Sequence, residues 1–148
     1  MAEGNEPRRK PVKVGVKEGG GPPPGYRWNV EILAQAFDEA MDFLNEDQYA
    51  HLSNQVRELA AQDEPTRSET VDVRPVEDFH EVRDKGGVLG KINARVFYFN
   101  HKPTRTIAVL GAIKKENDGP TPIGDLRTMR RRKRLYLESL EPPESESV

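Results

Sequence analysis

The stretch from Lys91 to Lys115, KINARVFYFNHKPTRTIAVLGAIKK, constrains the fold more than any other part of the chain. It concentrates β-forming residues in two apolar runs parted by the polar turn Asn100-His101-Lys102-Pro103, which predicts an antiparallel hairpin at the centre of a sheet. In the first arm Ile92, Ala94, Val96 and Tyr98 alternate with Lys91, Asn93, Arg95 and Phe97. One face of that arm can therefore meet a core while the other presents Arg95. The second arm, Thr106 to Ile113, is apolar at nearly every position, the pattern of an interior strand covered on both faces.

The segments around this hairpin supply its cover. Tyr26 to Leu33 reads as a strand, with Trp28, Val30 and Ile32 on one face. From Ala34 the period becomes helical, with Phe37, Ala40, Met41 and Leu44 on one stripe up to Asn45. Asn45 and Gln48 have the spacing of a capping box for a second helix, whose stripe is Tyr49, Leu52, Val56 and Leu59 and which fails at Asp63-Glu64-Pro65. Two amphipathic helices joined so tightly form a hairpin whose apolar faces need a sheet. Val71 to Val76 and Phe79 to Arg83 read as further strands, and Asp84-Lys85-Gly86-Gly87 as the turn into the central hairpin. Thr121-Pro122 is expected to open a C-terminal helix with Thr as N-cap, its apolar side marked by Ile123, Leu126, Met129, Leu137 and Leu140.

Charge is unevenly spread. The net charge is −2, yet residues 80–136 carry 14 Lys and Arg against 5 acids, while 26–79 carry 4 against 13. The cationic segment is suited to a phosphate backbone, and the acidity elsewhere disfavours indiscriminate binding. The ends are of another kind. Residues 1–25 are charged and rich in Gly and Pro, and 141–148 are acidic, so both read as disordered tails around one domain at 26–140. The absence of cysteine excludes disulfides and thiol chemistry. His51, His80 and His101 are scattered and form no metal-ligand cluster, and no cofactor is expected. With no apolar run near the length of a membrane span, the expectation is a soluble cytoplasmic protein.

In this order the elements carry several familiar residue patterns: Phe79-His80-Glu81-Val82-Arg83, Ala94-Arg95-Val96-Phe97-Tyr98, Val109-Leu110-Gly111-Ala112-Ile113-Lys114-Lys115, and a closing helix with Pro122, Asp125-Leu126, Met129, Arg132 and Tyr136. From about Trp28 to Tyr136 the chain resembles the RelE/HigB-like toxins of type II toxin–antitoxin systems, including their phage-derived relatives. The resemblance implies a small α+β domain, with two N-terminal helices packed on an antiparallel sheet and a C-terminal helix. It implies a metal-independent, ribosome-associated messenger RNA endonuclease, restrained by an antitoxin of helix-turn-helix type. The alternative is a non-catalytic binding protein on the same scaffold, a gyrase inhibitor like the ParE toxins or an inactive homologue.

Attack of a ribose 2′-hydroxyl on its phosphate needs a base, cations around the phosphorane and a proton donor. On that chemistry the candidate catalytic residues are Glu81, Arg95, Lys114 and Lys115. Arg95 either holds the scissile phosphate or pairs with Glu81 across the strands. Glu81 is either a base or a structural acid, and Lys114 and Lys115 either bind phosphate or are solvated. Candidate RNA contacts are Arg83, Arg130, Arg131, Arg132, Lys133 and Arg134, with Tyr136 either stacking on a base or packing the helix against the sheet.

Overall fold

The computed structural model describes residues 12–14 and 22–140. In chain order its elements are β1 (Val12–Val14), β2 (Asn29–Ile32), α1 (Ala34–Phe43), α2 (Glu46–Ala60), β3 (Asp72–Val76), β4 (Phe79–Lys85), β5 (Asn93–His101), β6 (Thr106–Lys115) and α3 (Ile123–Ser139). Among the described residues the strands form one sheet in the order β1-β2-β6-β5-β4-β3. The fold is α+β. Val12–Val14 lies within the segment expected to be a tail and instead adds an edge strand to β2. The other residues of the two expected tails, 1–11, 15–21 and 141–148, lie outside the described residues.

The central hairpin forms as its alternation predicts. β5 and β6 pair antiparallel from Asn93↔Lys115 to His101↔Thr106, with one irregularity between Phe97 and Tyr98. β6 is interior, with β5 on one side and β2 on the other. The expectation of an antiparallel sheet is corrected here, because β2 runs parallel to β6 from Asn29↔Thr106 to Ile32↔Val109 and the sheet is mixed. A parallel pair needs a long crossover, and α1 to β5 supplies it.

On one face lie α1 and α2. Val30, Ile32, Val96 and Val109 point towards them, and Leu52, Val56 and Leu59 of α2 are buried in the same core. The capping box predicted at Asn45 is present: Gln48 N–H donates to Asn45 Oδ1 at 2.8 Å, and Asn45 N–H to Gln48 Oε1 at 2.9 Å. Met41, placed on the apolar stripe by its period, is exposed instead.

The opposite face is covered as well. α3 lies against its apolar half, where Phe79, Phe97, Phe99, Met129 and Tyr136 are buried. Close approach of helix to sheet rests on Gly111: a Cβ there would lie 2.6 Å from Met129 Sδ and 2.7 Å from Arg132 Nη1. The stripe that α3 buries is Met129, Arg132 and Tyr136, whereas Ile123 and Leu140, expected inside, are exposed. The helix begins at Ile123 with Pro122 in the cap position and no side-chain cap, so Thr121 is not the N-cap. Its hydroxyl has another partner.

Candidate phosphate-binding face

Register decides which side chains share a face. In the ladders Asp72↔Arg83↔Arg95↔Ile113 and Lys85↔Asn93↔Lys115, cross-strand partners point the same way, and so does Arg74, opposite Glu81. Beyond the apolar half under α3, the same face therefore carries Arg74, Arg83, Lys85, Arg95 and Lys115. Strand β4 runs through Asp84 and Lys85 rather than turning there, and this extra length puts Lys85 into the cationic row. The turn follows at Gly86 and Gly87, both at positive φ.

Arg95 does not stand on an open face as its alternation suggested. It is 0% exposed. Its guanidinium donates from Nη1 to Thr121 Oγ1 at 2.8 Å and from Nη2 to the Gly119 carbonyl. Thr121 Oγ1 in turn donates to Glu81 Oε1 at 2.8 Å, and Glu81 Oε2 accepts from Arg83 Nε. Glu81 is likewise 0% exposed. The predicted contact between Arg95 and Glu81 thus runs through a threonine hydroxyl, and the direct ion pair of Glu81 is with Arg83. Arg95 Nε is buried and has no hydrogen-bond partner. Burial and the neighbouring Arg83 lower the Arg95 pKa from its usual value, and the guanidinium remains a cation.

The cover over this network is the loop 116–122, which joins β6 to α3. It is tied down at its tip, where Asp118 Oδ2 accepts from Lys85 Nζ at 2.6 Å and Asp118 Oδ1 from Asn93 Nδ2 at 3.1 Å. Asn93 Nδ2 also donates to the Asn117 carbonyl at 3.0 Å. These contacts with Lys85, and the amide of Asn93 with the field of Arg95, hold the Asp118 carboxyl below the usual carboxylate range.

The remaining predicted residues are dispersed. Lys114 is exposed and points to the α1/α2 side of the sheet, as its partner Ala94 does, while Lys115 is half-buried on the cationic face. Arg132, expected on a solvent-facing cationic side, is 4% exposed. Its Nη1 donates to the Leu110 carbonyl and to Glu39 Oε1, each at 2.9 Å, and its Nη2 to Glu39 Oε2 at 2.8 Å. The physical reason is a gap in the sheet. β2 ends opposite Val109, so among the described residues no strand continues along that edge of β6, while β5 still pairs on the other; Arg132 takes the Leu110 carbonyl and Glu39 takes the Ala112 N–H at 3.1 Å.

The other α3 cations are largely matched by acids. Arg130 pairs with Glu77, Lys133 with Asp78 and, more distantly, Arg134 with Glu138 at 3.8 Å. Arg131 is half-buried. Tyr136 takes the packing role: its ring meets Phe99 edge-on at 5.6 Å and its hydroxyl donates to Glu31 Oε1 at 3.1 Å. The α3 surface is therefore less cationic than its sequence. On the sheet face Arg74, Arg83 and Lys85 are likewise paired, with Asp72, Glu81 and Asp118, whereas among the described residues Arg95 and Lys115 make no ion pair. Arg74, Lys85, Asn93, Asp118 and Thr121 were missed by sequence reasoning, and the β3–β4–β5 register was the signal that could have found the first three.

Among the described residues no group of three or more His, Asp or Glu side chains is placed to hold a metal ion, and no helix is long and apolar enough to cross a membrane. No family model matches the chain, and no curated protein matches it either.

Proposed function

We propose that the protein is a RelE-like toxin that binds messenger RNA at the ribosome and acts on its backbone without a metal, under the control of a helix-turn-helix antitoxin in the cytoplasm. The observation that carries this reading is the cross-strand cluster of Arg74, Arg83, Lys85, Arg95 and Lys115 on one sheet face, with Arg95 keeping an unused Nε donor. A guanidinium fixed on a strand suits a phosphate because its fork offers two parallel donors in a set geometry. In this reading Arg95 and Arg83 hold the phosphate, while Lys85 and Lys115 hold its neighbours along the strand.

One observation favours the second reading, a binding protein on the same scaffold that does not cut. Glu81, the candidate base, is fully buried with one oxygen on Arg83 and the other on Thr121, so neither stands open to a ribose hydroxyl. Inducible expression separates the readings. Growth arrest with cleaved messenger RNA supports the nuclease, arrest with intact messenger RNA and damaged DNA supports a gyrase inhibitor, and unimpaired growth rules out a free-acting toxin of either kind.

A further inference from the structure

Loop 116–122 closes over the cationic face with an acid at its tip. The arrangement at Asp118 is that of an anion in a seat: one carboxylate oxygen on the Lys85 ammonium, the other on the Asn93 amide, with Arg95 close enough for its charge to be felt. Both donors belong to strands, and the acid belongs to the loop. The Lys85–Asp118 pair is open to water, with side-chain exposures of 61% and 66%, and such a pair adds little to stability and weakens with salt. Beneath it, Arg95 spends two of its nitrogens on the loop's Gly119 carbonyl and Thr121 hydroxyl while its Nε stays unpartnered. A buried donor left without an acceptor is unfavourable, and an incoming oxyanion would remove that deficit.

We infer that loop 116–122 is a displaceable cover, and that the Asp118 carboxylate occupies the seat of an RNA phosphate formed by Lys85 and Asn93 beside Arg95. A phosphodiester that takes the place of Asp118 meets the same two donors. As the loop lifts, Arg95 exchanges the Gly119 carbonyl for phosphate oxygens and brings Nε into use. The cover is thus autoinhibitory, because the chain's own carboxylate competes with substrate from a tethered position. The assignment of the phosphate to RNA rests on the reading above; the anion seat itself rests on the geometry.

The test compares the full chain with Asp118→Ala, with Lys85→Ala/Asp118→Ala, and with Asp42→Ala, which removes an exposed acid of equal charge on α1 away from the site. Asp118 is solvent-exposed and its removal leaves the core untouched, so melting curves verify the fold of each variant. Binding of a fluorescein-labelled single-stranded oligoribonucleotide is measured by anisotropy at low salt, and amide exchange in the loop is followed with and without tripolyphosphate. Asp118→Ala is expected to bind about fivefold or more tightly than wild type, with the gain shrinking as salt rises. The double variant loses the gain, Asp42→Ala stays within about twofold of wild type, and tripolyphosphate speeds exchange in the wild-type loop. Equal affinities of wild type and Asp118→Ala, or an equal gain in Asp42→Ala, overturn the inference while leaving RNA binding intact. Loop opening by tripolyphosphate with no RNA bound by any variant upholds the seat and overturns the RNA reading instead.

Discussion

Replacing Arg132 with alanine separates a structural cation from a functional one. The side chain is 5% exposed, and its hydrogen bonds include two to the Glu39 carboxylate and one to the Leu110 carbonyl. Removing one partner of a buried pair costs roughly 3–5 kcal/mol when the other is left desolvated. Here the Glu39 side chain is one-third exposed and can rehydrate, so part of that cost is screened. The expected loss is about 2–3 kcal/mol, or a fall of about 6–9 °C in melting temperature at roughly 3 °C per kcal/mol for a domain of this size. Urea and thermal denaturation followed by circular dichroism measure it. A cycle of Arg132→Met, Glu39→Gln and the double variant should return a coupling of about 1–3 kcal/mol. RNA affinity of the folded Arg132→Ala protein should stay within about twofold of wild type, since the guanidinium does not reach solvent. A variant within about 0.5 kcal/mol of wild type would refute the idea that this pair closes the sheet edge.

Three further expectations follow from the same packing. Gly111→Ala should cost about 1–3 kcal/mol in denaturant titration, because a methyl group there forces Met129 and Arg132 aside; an unchanged midpoint would mean that α3 shifts freely. Glu81→Gln should lower stability by about 1.5–3 kcal/mol through loss of its charged hydrogen bond to Arg83; a steep loss of RNA cleavage with no change in melting would instead identify Glu81 as the base. His80, desolvated by burial and within the field of the Lys133 ammonium, should titrate below its usual pKa of about 6.5 by nuclear magnetic resonance. In Lys133→Ala the midpoint should rise without reaching the usual value, since burial is the larger cause. The unfolded chain protonates this imidazole more readily than the folded one, so its contribution to stability is present at neutral pH and is lost as pH falls below about 6.5.

Local pattern carried the elements further than it carried their arrangement. Alternation located β5, the unbroken apolar run located β6 in the sheet interior, and Asn45 with Gln48 marked the start of α2, because each signal lies within a few residues. The parallel pairing of β2 with β6 was not legible, since side-chain alternation is the same in either direction. Arg95 was placed on the correct face, but that face was read as open; the cover comes from a loop 24 to 26 residues away in sequence. Arg132 misled for a more specific reason. A guanidinium in a helical stripe reads as solvent-facing, and here it faces inward because, among the described residues, no strand continues along that edge of β6 beyond Val109. Thr121 has the residue type of an N-cap and the spacing of one, yet its hydroxyl is drawn to Glu81 by a buried carboxylate that no local window contains.

The second sheet face is divided between two covers with different physics. Under α3 the contacts are apolar and sealed by the Arg132–Glu39 pair, so they hold by exclusion of water and are insensitive to salt. Under loop 116–122 the contacts are polar and charged, and the outermost of them, Lys85 with Asp118, is exposed to competing ions. The two covers are consecutive in the chain, yet the deeply buried residues of α3, Met129, Arg132 and Tyr136, begin six residues after its first residue, Ile123, which is itself exposed. The loop movement inferred above would be taken up at Pro122 and the exposed Ile123, ahead of Leu126, which packs on the core, and without withdrawing Met129 from Gly111. A fold built this way can keep its stability in one half of the face and expose the cations of the other, which is the mechanical requirement for a phosphate site that is closed at rest.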